Sequence, residues 1–269
     1  MAQENLTNSQ ATAPKVKMTY QITGVFDLIS KAFEVYKGKF WKFIGIMMIP
    51  VLGALPTVIV VGLFVGLNYL SMDSGAVLTF VRVILIILGL IGVVIFAVVS
   101  ISAQAGLYIL IKTDKEISVK EAFLQGKSMA WQFFVVNLLV GVFVLLWSLL
   151  LVIPGIIIAI YYSFATWILV DKGDRGINAI KKSKKLIRGY WWAVFGRLLA
   201  IQVILMIVNV LPLIIFGGTD NQGSKSLLTI VSNLISFLAA PLVLVYAYSI
   251  YKDLLNIKGE NSIPSKNRI

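Results

Sequence analysis

Long apolar tracts alternate with short polar ones along this chain, and the alternation predicts membrane helices. The tracts run over residues 40–70, 76–111, 131–170, 190–218 and 227–251. A helix needs roughly 20 apolar residues to cross a bilayer, so the third tract is long enough for two crossings. Pro154-Gly155 sits near its middle and is the expected turn. Six spans follow; without that turn there would be five, and the two ends of the chain would lie on opposite sides. The tracts are rich in Leu, Ile and Val, but they are apolar on every side. They also far exceed the roughly 10 alternating residues of a barrel strand. Hydrocarbon offers no partner to a free backbone group, so helices are the expected solution. The predicted fold class is all-α, a polytopic membrane helix bundle.

Between the tracts one plan recurs three times: an amphipathic stretch, then aromatics, then a pair of spans. Residues 22–39 lead into Phe40-Trp41, residues 118–130 into Trp131 and Phe133, and residues 177–189 into Tyr190-Trp191-Trp192. Aligned on the tryptophans, Ala32 meets Ala122 and Ser183, and Gly38 meets Ser128 and Gly189. Ile22, Val25, Phe26, Ile29, Phe33 and Tyr36 keep helical spacing, with Asp27, Lys31, Glu34 and Lys37 opposite. Ser118 and Glu121 have the spacing of a capping box. In the third segment Ile177, Ile180, Ile187 and Trp191 share one face, while Lys181, Lys182, Lys185 and Arg188 share another. An apolar face beside a lysine-rich face suits a helix lying among lipid headgroups, and aromatics at the hydrocarbon boundary are the usual anchors. The chain is therefore expected to carry three cytoplasmic interfacial helices in a threefold pseudo-repeat.

Composition sharpens this. The 269 residues are 59% apolar and 13% charged, with a mean hydropathy of +0.91; soluble domains are about a quarter charged. A water-soluble enzyme and a disordered chain are both excluded. There is no His and no Cys, which removes disulfides, thiol nucleophiles, Ser-His-Asp triads and His- or Cys-based zinc and haem sites. The 24 basic residues are placed unevenly. Arg82 and Lys225 fall toward one side and Arg197 lies inside a span; nearly all the rest cluster on the other side. That bias puts both termini and the long connections in the cytoplasm. It also accounts for the net charge of +12, so no nucleic-acid partner is expected. Residues 1–19 and 258–269 read as short cytoplasmic tails around a six-span domain at 20–257.

Asp171 lies ahead of Asn178-Ala179, followed by Ser183, Leu186, Gly189 and Trp191-Trp192, with Pro154-Gly155 opening the preceding span. Over residues 20–258 this arrangement resembles the membrane domain named after glycerophosphoryl diester phosphodiesterases and its relatives among bacterial and archaeal integral membrane proteins. The catalytic barrel that accompanies this domain in some members would need about 250 further residues, and its site uses carboxylates and histidines. The resemblance therefore implies a module of a prokaryotic plasma membrane, without that activity.

Candidate chemistry is sparse. Gln125-Gly126-Lys127-Ser128 contains a GKS, but Glu121 stands where a phosphate loop needs its first glycine. Gly62 and Gly66 form a GxxxG that permits close helix contact, within the bundle or between copies. All 12 acidic residues lie outside the proposed hydrocarbon core, whereas proton- or cation-coupled carriers keep a carboxylate or His there. Arg82 and Arg197 are the charges within spans, each placed to snorkel to the nearer interface or to line a cavity. Gln104, Asn137, Gln202, Asn209 and Asn233 are placed to hydrogen-bond between helices. Lys181, Lys182, Lys184, Lys185 and Arg188 are the candidate anionic-lipid contacts. The leading expectation is a non-enzymatic module, without cofactor or metal, that contacts anionic lipid headgroups or a protein partner, a second copy included. The alternative is a transporter or channel-like protein for a lipid or small anion, recognisable by a mid-membrane cavity lined by Arg197, Gln202 or Asn209.

Overall fold

The computed structural model describes residues 22–70, 75–216 and 222–259. Nine helices account for nearly all of them, and no strand occurs among them: α1 (Val25–Leu70), α2 (Ala76–Lys112), α3 (Val119–Ser128), α4 (Ala130–Leu150), α5 (Val152–Tyr162), α6 (Ala165–Lys172), α7 (Gly176–Ile187), α8 (Trp191–Phe216) and α9 (Gln222–Ile257). Six helical stretches are long and apolar enough to cross a membrane, with α5 and α6 together making one. The tail at 1–19, the second tail beyond residue 259 and most of both outer connections lie outside the described residues.

The long helices pair in sequence: α1 along α2, α4 along α5, α8 along α9. Their apolar faces stay open. In the most apolar stretch of α2 no residue is buried, and in that of α1 only 6% are. Each large aliphatic side chain left in water forgoes about 1.5–3 kcal/mol, so a surface of this kind belongs in hydrocarbon. The buried core gathers instead at one end of the bundle, where Leu28, Phe43 and Ile46 of α1 meet Leu110, Val136, Trp167, Leu186, Tyr246 and Leu254.

Lysines tie this basic end together. Lys39 Nζ donates to the carbonyls of Leu110 and Thr113 at 2.9 and 2.6 Å. Lys112 Nζ donates to those of Val170 and Asp171 at 2.9 and 3.0 Å, and Lys258 Nζ to those of Lys185 and Arg188 at 2.6 and 3.0 Å. Each ammonium thus covers the carbonyl end of another helix (α2, α6 and α7), where the macrodipole is negative. These lysines therefore hold the fold together.

Two local expectations are corrected. The chain does not turn at Pro154-Gly155 but at Leu151, whose backbone is extended (φ −160°, ψ 140°). The proline ring excludes the carbonyl four residues back, at Leu150, so the break precedes it. Pro154 itself then sits in the first turn of α5, where a missing N–H costs little. Gly155 is tight against α4: a Cβ there would lie 2.9 Å from Ser148 Cα. Second, the first amphipathic stretch is no separate helix. It runs into the first span as one 46-residue helix that continues through Pro50 and Pro56, whereas α3 and α7 end before their spans begin. The three segments share an order along the chain without being built alike. Gly62 and Gly66 have no neighbour within 4 Å of a would-be Cβ, so that pair makes no close contact among the described residues.

The capping box forms at α3. Ser118 Oγ accepts from Glu121 N at 3.2 Å, and Glu121 Oε2 accepts from Ser118 N at 2.9 Å. The Ser118 backbone N–H, then its hydroxyl, hold the Glu121 carboxyl below its ordinary pKa. The resulting stabilisation is present above the unfolded carboxylate's pKa and is lost as pH falls through the lowered folded value. Ser118→Ala is expected to cost α3 about 1 kcal/mol. Protection of the α3 amides, taken relative to their intrinsic exchange at each pH, should fall in acid in the parent protein, and Ser118→Ala should flatten that pH dependence.

Candidate functional site

Helix α7 is amphipathic, but its apolar face meets protein. Ala179, Ile180, Leu186 and Ile187 are buried against α4, α5, α6 and α9. Ser183 fixes the register. Its Oγ donates to the Tyr161 carbonyl at 2.8 Å and accepts from Phe164 N at 3.2 Å, filling the break between α5 and α6. The lysine side of α7 is therefore its exposed side.

That side forms a cleft of about 510 Å³ lined by Tyr161, Lys181, Lys184, Lys185 and Arg188. Lys184 Nζ lies 5.9 Å from the Tyr161 ring centre, and no carboxylate lines the cleft. Of the five predicted lipid contacts, four converge here. Lys182 does not: it points away and pairs with Asp174.

Tyr161 also belongs to a second concavity, an apolar groove of about 860 Å³ between α5 and the start of α8. Ile153, Ile156 and Ile157 line one wall, and Tyr190, Trp191, Trp192 and Phe195 the other. Trp191 stacks on Phe195 with ring centres 5.1 Å apart, and Trp192 stands edge-on to Trp191 at 4.7 Å. The Trp191 indole N–H donates to the Ile157 carbonyl at 3.3 Å, bridging the walls. Gly189 (φ +93°) turns the chain sharply from α7 into α8, which sets Arg188 beside the aromatic wall. A cationic cleft and an apolar groove thus share one tyrosine, the arrangement an anionic amphiphile requires. Trp191 and Trp192 stood out in the sequence as a pair heading an apolar tract. Tyr161 was missed, since an aromatic inside an apolar tract carries no local signal of a site.

The intramembrane polar candidates separate into different roles. Arg197 lines no cavity among those described. Its Nε, Nη1 and Nη2 donate to the carbonyls of Thr23, Ala193 and Ile22 at 2.9, 2.9 and 2.7 Å. Tyr246 Oη donates to the Arg197 carbonyl at 3.0 Å, and Asp253 Oδ2 accepts from Thr23 N at 3.0 Å. Arg197 is therefore a clamp that holds the entry to α1 against α8 and α9. Charge-assisted hydrogen bonds are worth about 1.5–3 kcal/mol each, discounted here for partial exposure, so Arg197→Met is expected to cost roughly 2–4 kcal/mol. Lysine cannot reproduce the three-way fork. Thermal unfolding in detergent and protease cleavage near residue 23 would read the loss.

Asn209 joins α8 to α9, accepting from Ser236 Oγ at 2.8 Å, and Asn137 joins α4 to α6 through Thr166 at 3.3 Å. Gln202 is exposed on α8, and Arg82 is half-buried on α2. A lateral cavity of about 400 Å³ between α1, α2 and α9 is lined by Met47, Pro50, Gln104, Tyr108 and Leu244, without Arg197, Gln202 or Asn209. At the basic end a cavity of about 480 Å³ sets Lys31, Lys39, Lys42, Lys115 and Lys252 against Asp114, Glu116 and Asp253, so its charge is partly compensated. Asp171, quoted for the family resemblance, accepts from Tyr251 Oη at 3.0 Å and lies 3.5 Å from Lys112 Nζ. It ties α6 to α9 and α2. Among the described residues no three His, Cys, Asp or Glu side chains gather to hold a metal ion. Compared with protein-family models, with curated proteins and with solved structures, the chain gives no match.

Proposed function

We propose that this multi-pass membrane protein is a non-enzymatic module that holds an anionic lipid, headgroup in the α7 cleft and hydrocarbon in the α5–α8 groove. The observation that carries the reading is Tyr161, which lines both concavities and so joins four cations, with no carboxylate beside them among the described lining residues, to an aromatic-walled apolar groove. The positive-inside pattern supports a basic end facing the cytoplasm of a prokaryotic cell, with both termini on that side, and α3 and α7 at the level of the headgroups. The transport alternative loses its principal charged candidate, because Arg197 spends its donors on backbone carbonyls.

The test is mass spectrometry of lipids retained by the purified protein. The parent protein is expected to retain anionic over zwitterionic phospholipid. Neutralising Lys181, Lys184, Lys185 and Arg188 should abolish that preference, and an unchanged lipid profile would overturn the proposal.

A further inference from the structure

The α1–α2 and α8–α9 pairs are joined through polar residues, with Asp73 in one connection and Asp220 in the other. The α4–α5 connection differs. Leu149, Leu150, Leu151, Val152 and Ile153 stand 75, 71, 66, 70 and 72% exposed at its tip, and no charged residue lies between Lys127 and Asp171. We propose that this turn never emerges into water: the α4–α5 hairpin re-enters, and its tip is covered by lipid acyl chains of the far leaflet.

Length supports this. Phe133 packs on Tyr108 with ring centres 5.4 Å apart, so α4 and α2 share a level there. At 1.5 Å per residue, α2 runs about 48 Å beyond that level to Ala76, but α4 runs only about 26 Å to Leu150. A hydrocarbon core is about 30 Å thick, and the usual tilt of about 20° shortens the reach further. From that shared level the first hairpin reaches about 22 Å further than the second, whose reach is less than the thickness of the hydrocarbon core. At the tip two backbone N–H groups find carbonyls, and two, those of Val152 and Ile153, open α5 without one. Leu151 N–H donates to the Trp147 carbonyl at 3.1 Å and Gly155 N–H to the Leu151 carbonyl at 3.3 Å, while Pro154 has no N–H to satisfy. Because Ile153 also lines the apolar groove, the groove starts in hydrocarbon and has water at its basic end alone.

The chain has no cysteine, so single-cysteine variants report cleanly. Leu151→Cys, Ile153→Cys, Gly75→Cys and Lys115→Cys would be reconstituted in liposomes and offered a charged, membrane-impermeant maleimide from both sides. The Gly75 and Lys115 variants are expected to label, each from a different side. The tip variants are expected to lose labelling until detergent is added, since hydrocarbon excludes the reagent and suppresses the reactive thiolate. Nitroxides at Leu150 and Leu151 give an independent measurement, with collisions from dissolved oxygen expected to exceed those from a nickel chelate. Tip labelling as fast as at the Gly75 position, or chelate access equal to it, would overturn the proposal.

Discussion

Replacing Lys181, Lys184, Lys185 and Arg188 together with glutamine should strip the protein of co-purifying anionic lipid, while Lys182→Gln leaves it in place. A basic residue near an anionic surface contributes about 1 kcal/mol. Four of them give about 4 kcal/mol, roughly a thousandfold in affinity at 1.4 kcal/mol per decade. The control discriminates between explanations. If the lysines acted as a diffuse positive surface, Lys182 would count like its neighbours. Its charge is instead engaged by Asp174, outside the cleft. Salt should erode the cationic part, because exposed charges are screened beyond about 8 Å at physiological ionic strength. The apolar part should persist. A bulky Ile156→Trp in the groove tests that half: long-chain anionic lipid is expected to fall while binding of a short, water-soluble phosphate ester holds. Calorimetry or native mass spectrometry of the purified protein would read both.

How far the sequence discloses this protein follows from the range of the forces involved. Hydrophobicity acts residue by residue, so the six apolar stretches and the basic bias at one end could be read along the chain. Capping is equally local, which is why Ser118 and Glu121 identify the start of α3. The turn was displaced by three residues because the effect of a proline falls on the carbonyl four positions back, at Leu150, and not on the proline itself. The candidate site was half legible. Periodicity grouped the lysines of α7 by helix face, but only packing shows that Asp174 takes Lys182 away and that Tyr161 carries the cleft into the groove. Arg197 was legible as an unusual charge, yet its partners, Ile22 and Thr23, lie more than 170 residues away in sequence. No local pattern encodes such a contact.

Gly126→Ala is expected to undo the docking of α3 on α2. Two stripes of small residues face each other there, Ala122 and Gly126 on α3 against Ser102 and Gly106 on α2. A Cβ at position 126 would collide with the Ser102 carbonyl oxygen and lie 2.5 Å from Gly106 N. A Cβ at 106 would lie 2.6 Å from Ile46 Cδ1 and 2.8 Å from the Ala122 carbonyl oxygen. These are mostly backbone atoms, so relief requires a whole helix to shift. Overpacking costs about 1–3 kcal/mol and more where nothing yields, and the upper end applies here. Against it stands the gain of about 1 kcal/mol when alanine replaces glycine inside a helix. The net expectation is a loss of about 2 kcal/mol or more, read as lowered thermal stability and faster amide exchange throughout α3. Gly141→Ala in α4 supplies the opposite sign: nothing lies within 4 Å of its would-be Cβ, so propensity alone acts and the protein should gain slightly. Gly126→Ala and Lys127→Gln together decide what the Gly126-Lys127-Ser128 tripeptide is for. A phosphate-binding loop would depend on Lys127 as much as on Gly126. A helix crossing depends on Gly126, and Lys127→Gln should leave both stability and amide exchange unchanged.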